Sequence, residues 1–315
     1  SEARGPARGA EMDLGGRVAI PGPVDAHCHL GSFGMQRIRE ADLHGVSSLP
    51  ELAARLQAHA AGVGSGDGGR WLLGRGFDQE LLPGGAWPTR NDLDRISPDR
   101  PLRMIRVCGH ALAANTAALQ EAGLPPDARS PGFPAGVLTE NDMAPIHAAV
   151  PPPGPDEWRR ATEWAMEAAL RAGFVGVHSL VAGAGEVRAL MELHAEDRLP
   201  LRVRLQLPYT MLPYAESMGL RTGFGDEWLH LGAVKLFADG SLGARTAALL
   251  APYCDDESTT GDLLLDSEEL LDRLRHIHGA GFQACIHAIG DRTLAAVLDA
   301  VEQEAATAPP DCRPP

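Results

Sequence analysis

Two histidines separated by one residue, His27 and His29, are the residues whose type and spacing most directly indicate chemistry. They lie in VDAHCHL (residues 24–30), behind a short apolar run and a Gly-Pro turn. Side chains two apart on an extended strand point to the same face, so both imidazoles would reach one point in space. Neutral imidazole is the commonest protein ligand for zinc and similar ions. The pattern and the neighbouring Asp25 therefore predict a metal clamp, although two ordinary histidines on a polar strand face are the alternative.

Two later segments place a chemically active residue at or near the end of a predicted strand. Lys235 lies within the apolar strand of AVKLFADGSLGARTAAL (residues 233–249), and His287 ends the apolar strand of ACIHAIGD. A buried lysine is costly unless it is paired, neutralised or modified, and a neutral amine can add carbon dioxide to form a carbamate that bridges two cations. Taken singly, each residue favours a structural role: Lys235 would extend its ammonium to Asp239, and His287 would be a hydrogen-bonded core histidine.

The segments that position these residues alternate between helix and strand from Asp156 onward. Hydrophobic periodicity predicts helices over 156–172, 186–197, 267–280 and 292–305, and strands over 174–178, 201–207, 232–237 and 282–287. Such alternation favours a parallel sheet or barrel, which carries its chemistry at the carboxyl ends of its strands.

The segment from about residue 45 to residue 150 is richer in glycine and proline and less regular. It contains a predicted helix over 49–61 and short apolar runs at 71–73 and 102–107. We expect it to be an insertion or lid between the first and second strands of a barrel.

Composition limits the class of protein. The 315 residues, 44% of them hydrophobic, suit one barrel-sized α/β domain plus an insertion. The net charge of -14 argues against nucleic acid and anionic membrane as partners. No apolar run approaches the roughly 18 residues of a membrane span, and no secretory signal is visible. The five cysteines are dispersed without a CxxC pair, which favours reduced thiols in a cytoplasm.

Taken together, the order His-x-His, Lys, His resembles the amidohydrolase superfamily of metal-dependent hydrolases. The closer resemblance is to amidohydrolase family 3, which includes N-substituted formamide deformylase-like proteins. The matching stretches follow one another in the family's order: DLGGRVAIPGPVDAHCHL (13–30), WLLGRGFDQ (71–79), PTRNDLD (88–94), GHALAANTAAL (109–119), VKLFADGSLGARTAAL (234–249) and HAIGDRTLAAVLDA (287–300).

The resemblance implies a (β/α)8 TIM-type barrel with a small β-sandwich, here truncated with about five barrel strands present. The corresponding divisions are a β-sandwich remnant (1–22), the first barrel strand and loop (23–44), the insertion or lid (45–150) and barrel strands two to five with their helices (151–315).

The resemblance also implies roles for the site residues. His27 and His29 would bind a buried metal ion, Lys235 as a carbamate would bridge two divalent ions, and His287 would bind the second. Lys235 and His287 are thus the expected catalytic residues, and zinc is the expected ion, with iron or manganese left open. The family pattern continues with a further histidine and an aspartate that shuttles the proton. Neither lies in this sequence, so the chain resembles a fragment.

The expected reaction is hydrolysis of a C–N bond in a small amide or formamide by a metal-activated hydroxide. A truncated, non-catalytic metal-binding or regulatory relic of the same fold is the alternative, and mononuclear deaminases, isomerases and decarboxylases of the superfamily stay open. The lysine favours a binuclear hydrolase over a deaminase. The sequence leaves a homodimer open.

Several polar residues are weaker candidates for contacting the substrate: Asp78, His110, Asn115, Glu140, His178, Asp239, Ser241 and Arg245. For the GHxxxxN stretch that contains His110 and Asn115, helix capping and loop hydrogen bonds are an equally good explanation. A structural role is an equal alternative for His178 at the end of the second barrel strand.

Overall fold

The structure is a computed structural model that describes residues 13–62, 70–243 and 245–307. Within these ranges there are ten strands: β1 (Val24–Cys28), β2 (Glu40–Asp42), β3 (Leu72–Phe77), β4 (Leu102–Arg106), β5 (Ala111–Ala114), β6 (Val137–Thr139), β7 (Gly176–Leu180), β8 (Arg202–Pro208), β9 (Leu229–Phe237) and β10 (Gln283–His287).

The same ranges contain ten α-helices: α1 (Leu30–Arg39), α2 (Leu49–Gly62), α3 (Arg90–Ile96), α4 (Thr116–Glu121), α5 (Ala144–Ala149), α6 (Pro155–Arg171), α7 (Ala184–Ala195), α8 (Leu212–Ser217), α9 (Ser267–Gly279) and α10 (Asp291–Thr307). None of these helices is both long and apolar enough to cross a bilayer.

The first sheet has the strand order β1-β7-β8-β9-β10, and all its neighbouring strands run parallel. Its helix-facing side chains form one core with α6, α7 and α9, which includes Val234 and Leu236 of β9 and Leu270 and Leu274 of α9. Alternate residues of each strand therefore point to the opposite, inner face. This sheet is a parallel half-barrel, so the prediction of an α/β fold with a partial TIM-type barrel is confirmed.

The helices of the half-barrel follow from the sequence pattern. Helix α6 carries its apolar residues at helical spacing, and Ala161, Ala165 and Met166 are buried against the sheet and α1. It ends before Gly173, which adopts a φ of +92° that a glycine tolerates without strain. The predicted helices and strands after residue 155 all occur, with ends shifted by up to three residues.

Residues 40–139 contain a second sheet, with the order β2-β3-β4-β5-β6. One apolar cluster on it involves Leu52 and Leu56 of α2, and another involves Leu119 of α4 and Ile146 of α5. Arg39, the last residue of α1 before β2, forms an ion pair with Glu157 on α6 at 3.3 Å. The sequence predicted apolar runs for β3 and β4 but missed the three shorter strands.

The predicted β-sandwich remnant, residues 1–22, lies partly outside the described residues, and residues 13–22 form a turn and extended chain without strand pairing. The end of the predicted fourth division, from residue 308 onward, also lies outside the described ranges.

Candidate metal centre

The two histidines of the VDAHCHL stretch lie where β1 passes into α1. Strand β1 ends at Cys28, and His29 is the N-cap residue of α1, although its side chain makes no capping hydrogen bond. The register of β1 against β7 shifts between Asp25 and Cys28, which places His27 in a bulge. The two imidazole rings nevertheless meet edge to face, with centroids 5.6 Å apart. Strand alternation alone therefore does not produce the pair; the bulge and the helix start do.

The start of α1 is anchored to the rest of the half-barrel. The Leu30 N–H donates to the Ser179 hydroxyl at 3.0 Å, and the Gly31 N–H donates to the buried Glu186 carboxylate at 3.0 Å. These bonds satisfy two of the N–H groups that a helix start leaves without an intrahelical partner. They also fix the backbone immediately after His29.

Lys235 and His287 share the inner face of the half-barrel on adjacent strands. Lys235 pairs in register with Cys285, and Phe237 pairs with His287. The Nζ of Lys235 lies 4.0 Å from the Cys285 Sγ and 5.3 Å from the Phe237 ring centroid. The Phe237 and His287 ring centroids are 5.4 Å apart. Phe237 and Cys285 were missed as site residues, yet their i±2 spacing from Lys235 and His287 was a signal for them.

The two histidines of β1 and the start of α1 are within electrostatic reach of Lys235 on β9. The pKa of His29 is lowered by burial and then by the positive charge of Lys235. The pKa of His27 is lowered by burial, then by Lys235 and His29, and to a smaller extent by His287, while Asp25 opposes these effects. Burial, the largest of these effects at both positions, favours the neutral imidazole, which is the form that binds metal.

Lys235 is 4% exposed, and among the described residues no carboxylate lies within 4.0 Å of its Nζ. Asp239, the acid partner considered from the sequence, has a fully buried side chain that accepts hydrogen bonds from main-chain N–H groups and a threonine instead. Burial would raise the pKa of Asp239, but these hydrogen bonds hold it below its usual range. The alternative in which Lys235 pairs with Asp239 is therefore not what the structure contains. Lys235 is also the chain's single lysine, against 27 arginines.

His287 has a defined orientation. Its Nε2 lies 2.8 Å from the Gly240 carbonyl oxygen, and because a carbonyl can only accept, Nε2 carries the proton. In the neutral imidazole the free lone pair is then on Nδ1.

Within residues 13–62, 70–243 and 245–307, no three His, Cys, Asp or Glu side chains form a group that could hold a metal ion. What the fold shows is one pair of neighbouring histidines, His27 and His29, and two adjacent strands that carry the buried Lys235 and His287. Imidazoles suit zinc and other divalent transition metals. The donor chemistry of the histidines thus fits such an ion.

Four of the predicted substrate contacts lie on or beside the second sheet. Asn115 is fully buried and caps α4, with all its hydrogen bonds made to the main chain. Asp78 pairs with Arg106 at 3.0 Å. The exposed His110 Nδ1 lies 3.3 Å from the Glu140 carboxylate. The contacts of Asn115 favour the structural explanation that the sequence left open.

The other predicted contacts lie on the half-barrel. His178 on β7 is half-buried, and its pKa is lowered by burial and then by the charge of Arg204. The Ser241 N–H donates to a threonine hydroxyl at 3.0 Å. Arg245 is exposed and pairs with Asp255 at 3.0 Å. The loop that carries Asp239 and Ser241 follows the carboxyl end of β9, and His287 is the last residue of β10. His178, expected at the end of its strand, lies instead in the middle of β7, because that strand continues to Leu180.

The chain is similar to proteins of known family and to solved structures. A family model described as "Amidohydrolase family" matches residues 10–313. YtcJ of Bacillus subtilis, which is named as an amidohydrolase, is 32% identical over 93% of this chain and 57% of its own length. The N-substituted formamide deformylase of Arthrobacter pascens is 25% identical over 92% of this chain and 57% of its own length.

The crystal structure of an uncharacterized metal-dependent hydrolase from Pyrococcus furiosus superimposes with a TM-score of 0.75 at 34% identity. The match covers 90% of this chain and 58% of that one. The chain thus spans a little over half the length of these relatives.

Proposed function

The chain belongs to the amidohydrolase family, and we propose that it carries the metal-binding part of a hydrolase that cleaves a C–N bond in a small amide or formamide. The observation that carries this proposal is the burial of Lys235, which has no carboxylate within 4.0 Å of its Nζ among the described residues. It lies on the strand next to that of His287 and within electrostatic reach of His27 and His29. The metal-dependent hydrolase that shares the fold supports a metal, and the formamide deformylase supports the bond class.

The presence of a lysine and not an arginine at position 235 supports the proposed carbamate. The chain uses arginine at 27 positions and lysine at one, on the inner face of the half-barrel. A guanidinium stays protonated in proteins, whereas a buried amine can lose its proton and add carbon dioxide. In that step the Nζ lone pair forms an N–C bond and one proton leaves, which gives a carbamate anion.

Each residue would have a distinct role toward a bound ion. His27 and His29 would hold one ion through neutral imidazoles, the Lys235 carbamate would supply the anionic ligand shared between two ions, and His287 would offer Nδ1 to the second. Bound divalent metal, with zinc expected, lowers the pKa of water to near 7 and polarises a substrate carbonyl. Phe237, whose ring lies near both Lys235 and His287, would cover one side of these two residues and limit the access of water.

The proposal is tested with the protein expressed at its natural length. Hydrolysis is followed on a panel of N-substituted formamides and simple amides for the wild type, Lys235→Arg and the matched control His194→Gln, a half-buried histidine on α7 that pairs with Asp226. We expect turnover in the wild type and the control, and a loss of at least 100-fold in Lys235→Arg, because arginine keeps the charge but cannot form a carbamate. Equal turnover in Lys235→Arg would contradict the proposed role of the lysine.

The carbamate itself has a separate readout. Because Lys235 is the single lysine, any side-chain carbamate seen by NMR after incubation with 13C-bicarbonate and zinc must lie on it. A carbamate signal that is present in the wild type and absent in Lys235→Arg is expected. If the wild type binds zinc without any such signal, the bridging role is wrong.

A further inference from the structure

We propose that Asp239 is a positioning residue for His287. It fixes the loop after β9 against the turn after β10, so that the Gly240 carbonyl accepts a hydrogen bond from the His287 Nε2–H and Nδ1 stays free as the ligand atom. The metal-binding part of this inference rests on the proposed function, whereas the orientation of the imidazole does not.

The buried carboxylate of Asp239 joins two segments of chain. Its Oδ1 accepts from the Ile289 N–H at 3.1 Å, and its Oδ2 accepts from the Gly290 N–H at 2.8 Å and the Thr293 hydroxyl at 2.8 Å. The same Oδ2 accepts from the Ala248 N–H at 3.1 Å. The side chain of Asp239 is 0% exposed. Substrate therefore cannot reach this carboxylate, and its function must be exerted through the groups that it holds.

The loop and the turn pack too closely to slide past each other. A Cβ added to Gly290 would lie 1.8 Å from the Ala248 carbonyl oxygen. The Ala238 N–H also donates to the His287 carbonyl at 3.0 Å, immediately before Asp239. The backbone on both sides of the imidazole is thus fixed, which leaves the Gly240 carbonyl at a set distance from the ring.

Asp239 acts on the imidazole through the loop and not by a direct hydrogen bond. Its Oδ1 lies 3.6 Å from the His287 Nε2, whereas the Gly240 oxygen lies at 2.8 Å. A partner that fixes which ring nitrogen carries the proton is typical of metal-binding histidines, and its loss costs about 10–100-fold in metal affinity.

The test uses the Asp239→Asn variant and two readouts. The first is the 15N spectrum of the His287 imidazole in the metal-free chain, assigned by its loss in His287→Gln. The second is the affinity for Zn²⁺. We expect a single Nε2–H tautomer in the wild type. In Asp239→Asn, where an amide NH₂ must face N–H donors, we expect a mixture of tautomers and a zinc affinity about 10–100-fold weaker.

Two further variants serve as a control and as a second test of the positioning role. Asp266→Asn makes the same change at an exposed carboxylate that caps α9, and it should leave both readouts unchanged. Thr293→Val removes one donor from the Asp239 carboxylate without adding a misplaced amide. It should weaken zinc binding by roughly fivefold, the equivalent of one hydrogen bond, and it carries the test if Asp239→Asn does not fold.

The outcomes separate the two proposals. If the wild-type chain binds no zinc, the proposed function is overturned. If it nevertheless has a single His287 tautomer that is lost in Asp239→Asn, the positioning role is supported. A wild-type tautomer and wild-type zinc affinity in both Asp239→Asn and Thr293→Val would overturn the positioning role.

Discussion

Asn115 provides a direct test of whether a polar residue of a recognisable motif contacts substrate or holds the fold. Its side-chain oxygen accepts from the Leu102 and Ala118 N–H groups, each at 2.9 Å. Its amide donates to the Ser97 carbonyl at 2.7 Å and the Arg100 carbonyl at 2.8 Å. All four hydrogen-bonding positions of the amide are therefore filled, in a side chain that is fully buried.

The expected cost of Asn115→Ala follows from these contacts. Each hydrogen bond contributes about 1 kcal/mol net, and a buried group that loses its partner costs about 1–3 kcal/mol. With the loss of the α4 cap included, we expect the free energy of unfolding to fall by about 3–5 kcal/mol.

The assay is urea denaturation followed by far-UV circular dichroism. The matched control is Asn91→Ala, at an exposed position on α3 in the same region, and it should change the free energy of unfolding by no more than about 0.5 kcal/mol. A loss below about 1 kcal/mol in Asn115→Ala, together with a raised KM in the natural-length protein, would refute the structural explanation and restore the substrate contact.

Three further substitutions test the packing and electrostatics in the same assay. Gly290→Ala should cost about 1–3 kcal/mol, because the added Cβ would lie 1.8 Å from the Ala248 carbonyl oxygen. Glu40→Gln should cost about 3–5 kcal/mol, because it removes the carboxylate 2.8 Å from the buried Arg103 guanidinium. Burial raises the pKa of Asp42, but hydrogen bonds from a histidine and an arginine hold it well below its usual range. Asp42→Asn should therefore lower the free energy of unfolding by about 0.5–1 kcal/mol at pH 7. This difference should vanish as the pH falls below the pKa of Asp42 in the folded protein, because the carboxylate is then protonated.

For each of these three substitutions, one result would contradict the prediction. Gly243→Ala meets no atom within 4 Å and should be tolerated, so an equal cost there would remove the steric argument for Gly290. Glu121→Gln breaks an exposed ion pair and should cost less than about 1 kcal/mol. A cost of Glu40→Gln no larger than this would contradict the argument from burial. An Asp42→Asn difference that persists at low pH would mean that the carboxylate charge is not its source.

Much of the half-barrel could be predicted from the sequence because its elements are periodic and well separated. The apolar runs of β9 and β10 and the amphipathic face of α6 are visible without a structure, and the matches to the family confirm the resemblance. The second sheet was harder to predict, because β2 and β6 have three residues each and lie among glycines and prolines.

The site was predictable in its residue types and not in its geometry. His27 and His29 were recognised from strand alternation, yet a bulge and a helix start bring their rings together. The partner of His287 is the main-chain carbonyl of Gly240, which no side-chain pattern reveals. The buried carboxylate of Asp239 looked like a contact for substrate or Lys235, and only the folded loop shows what it holds.

The central claim is that the fold gathers His27, His29, Lys235 and His287 into a metal site, and zinc titration by calorimetry tests it most directly. The metal-free chain is titrated as the wild type, as His27→Asn, as Lys235→Arg and as His194→Gln, the control histidine on α7 outside the site. We expect at least one zinc ion per chain in the wild type and the control, with a weakening of at least 10-fold in the two site variants. Unchanged zinc binding in both site variants, or no binding by the wild type, would contradict the claim.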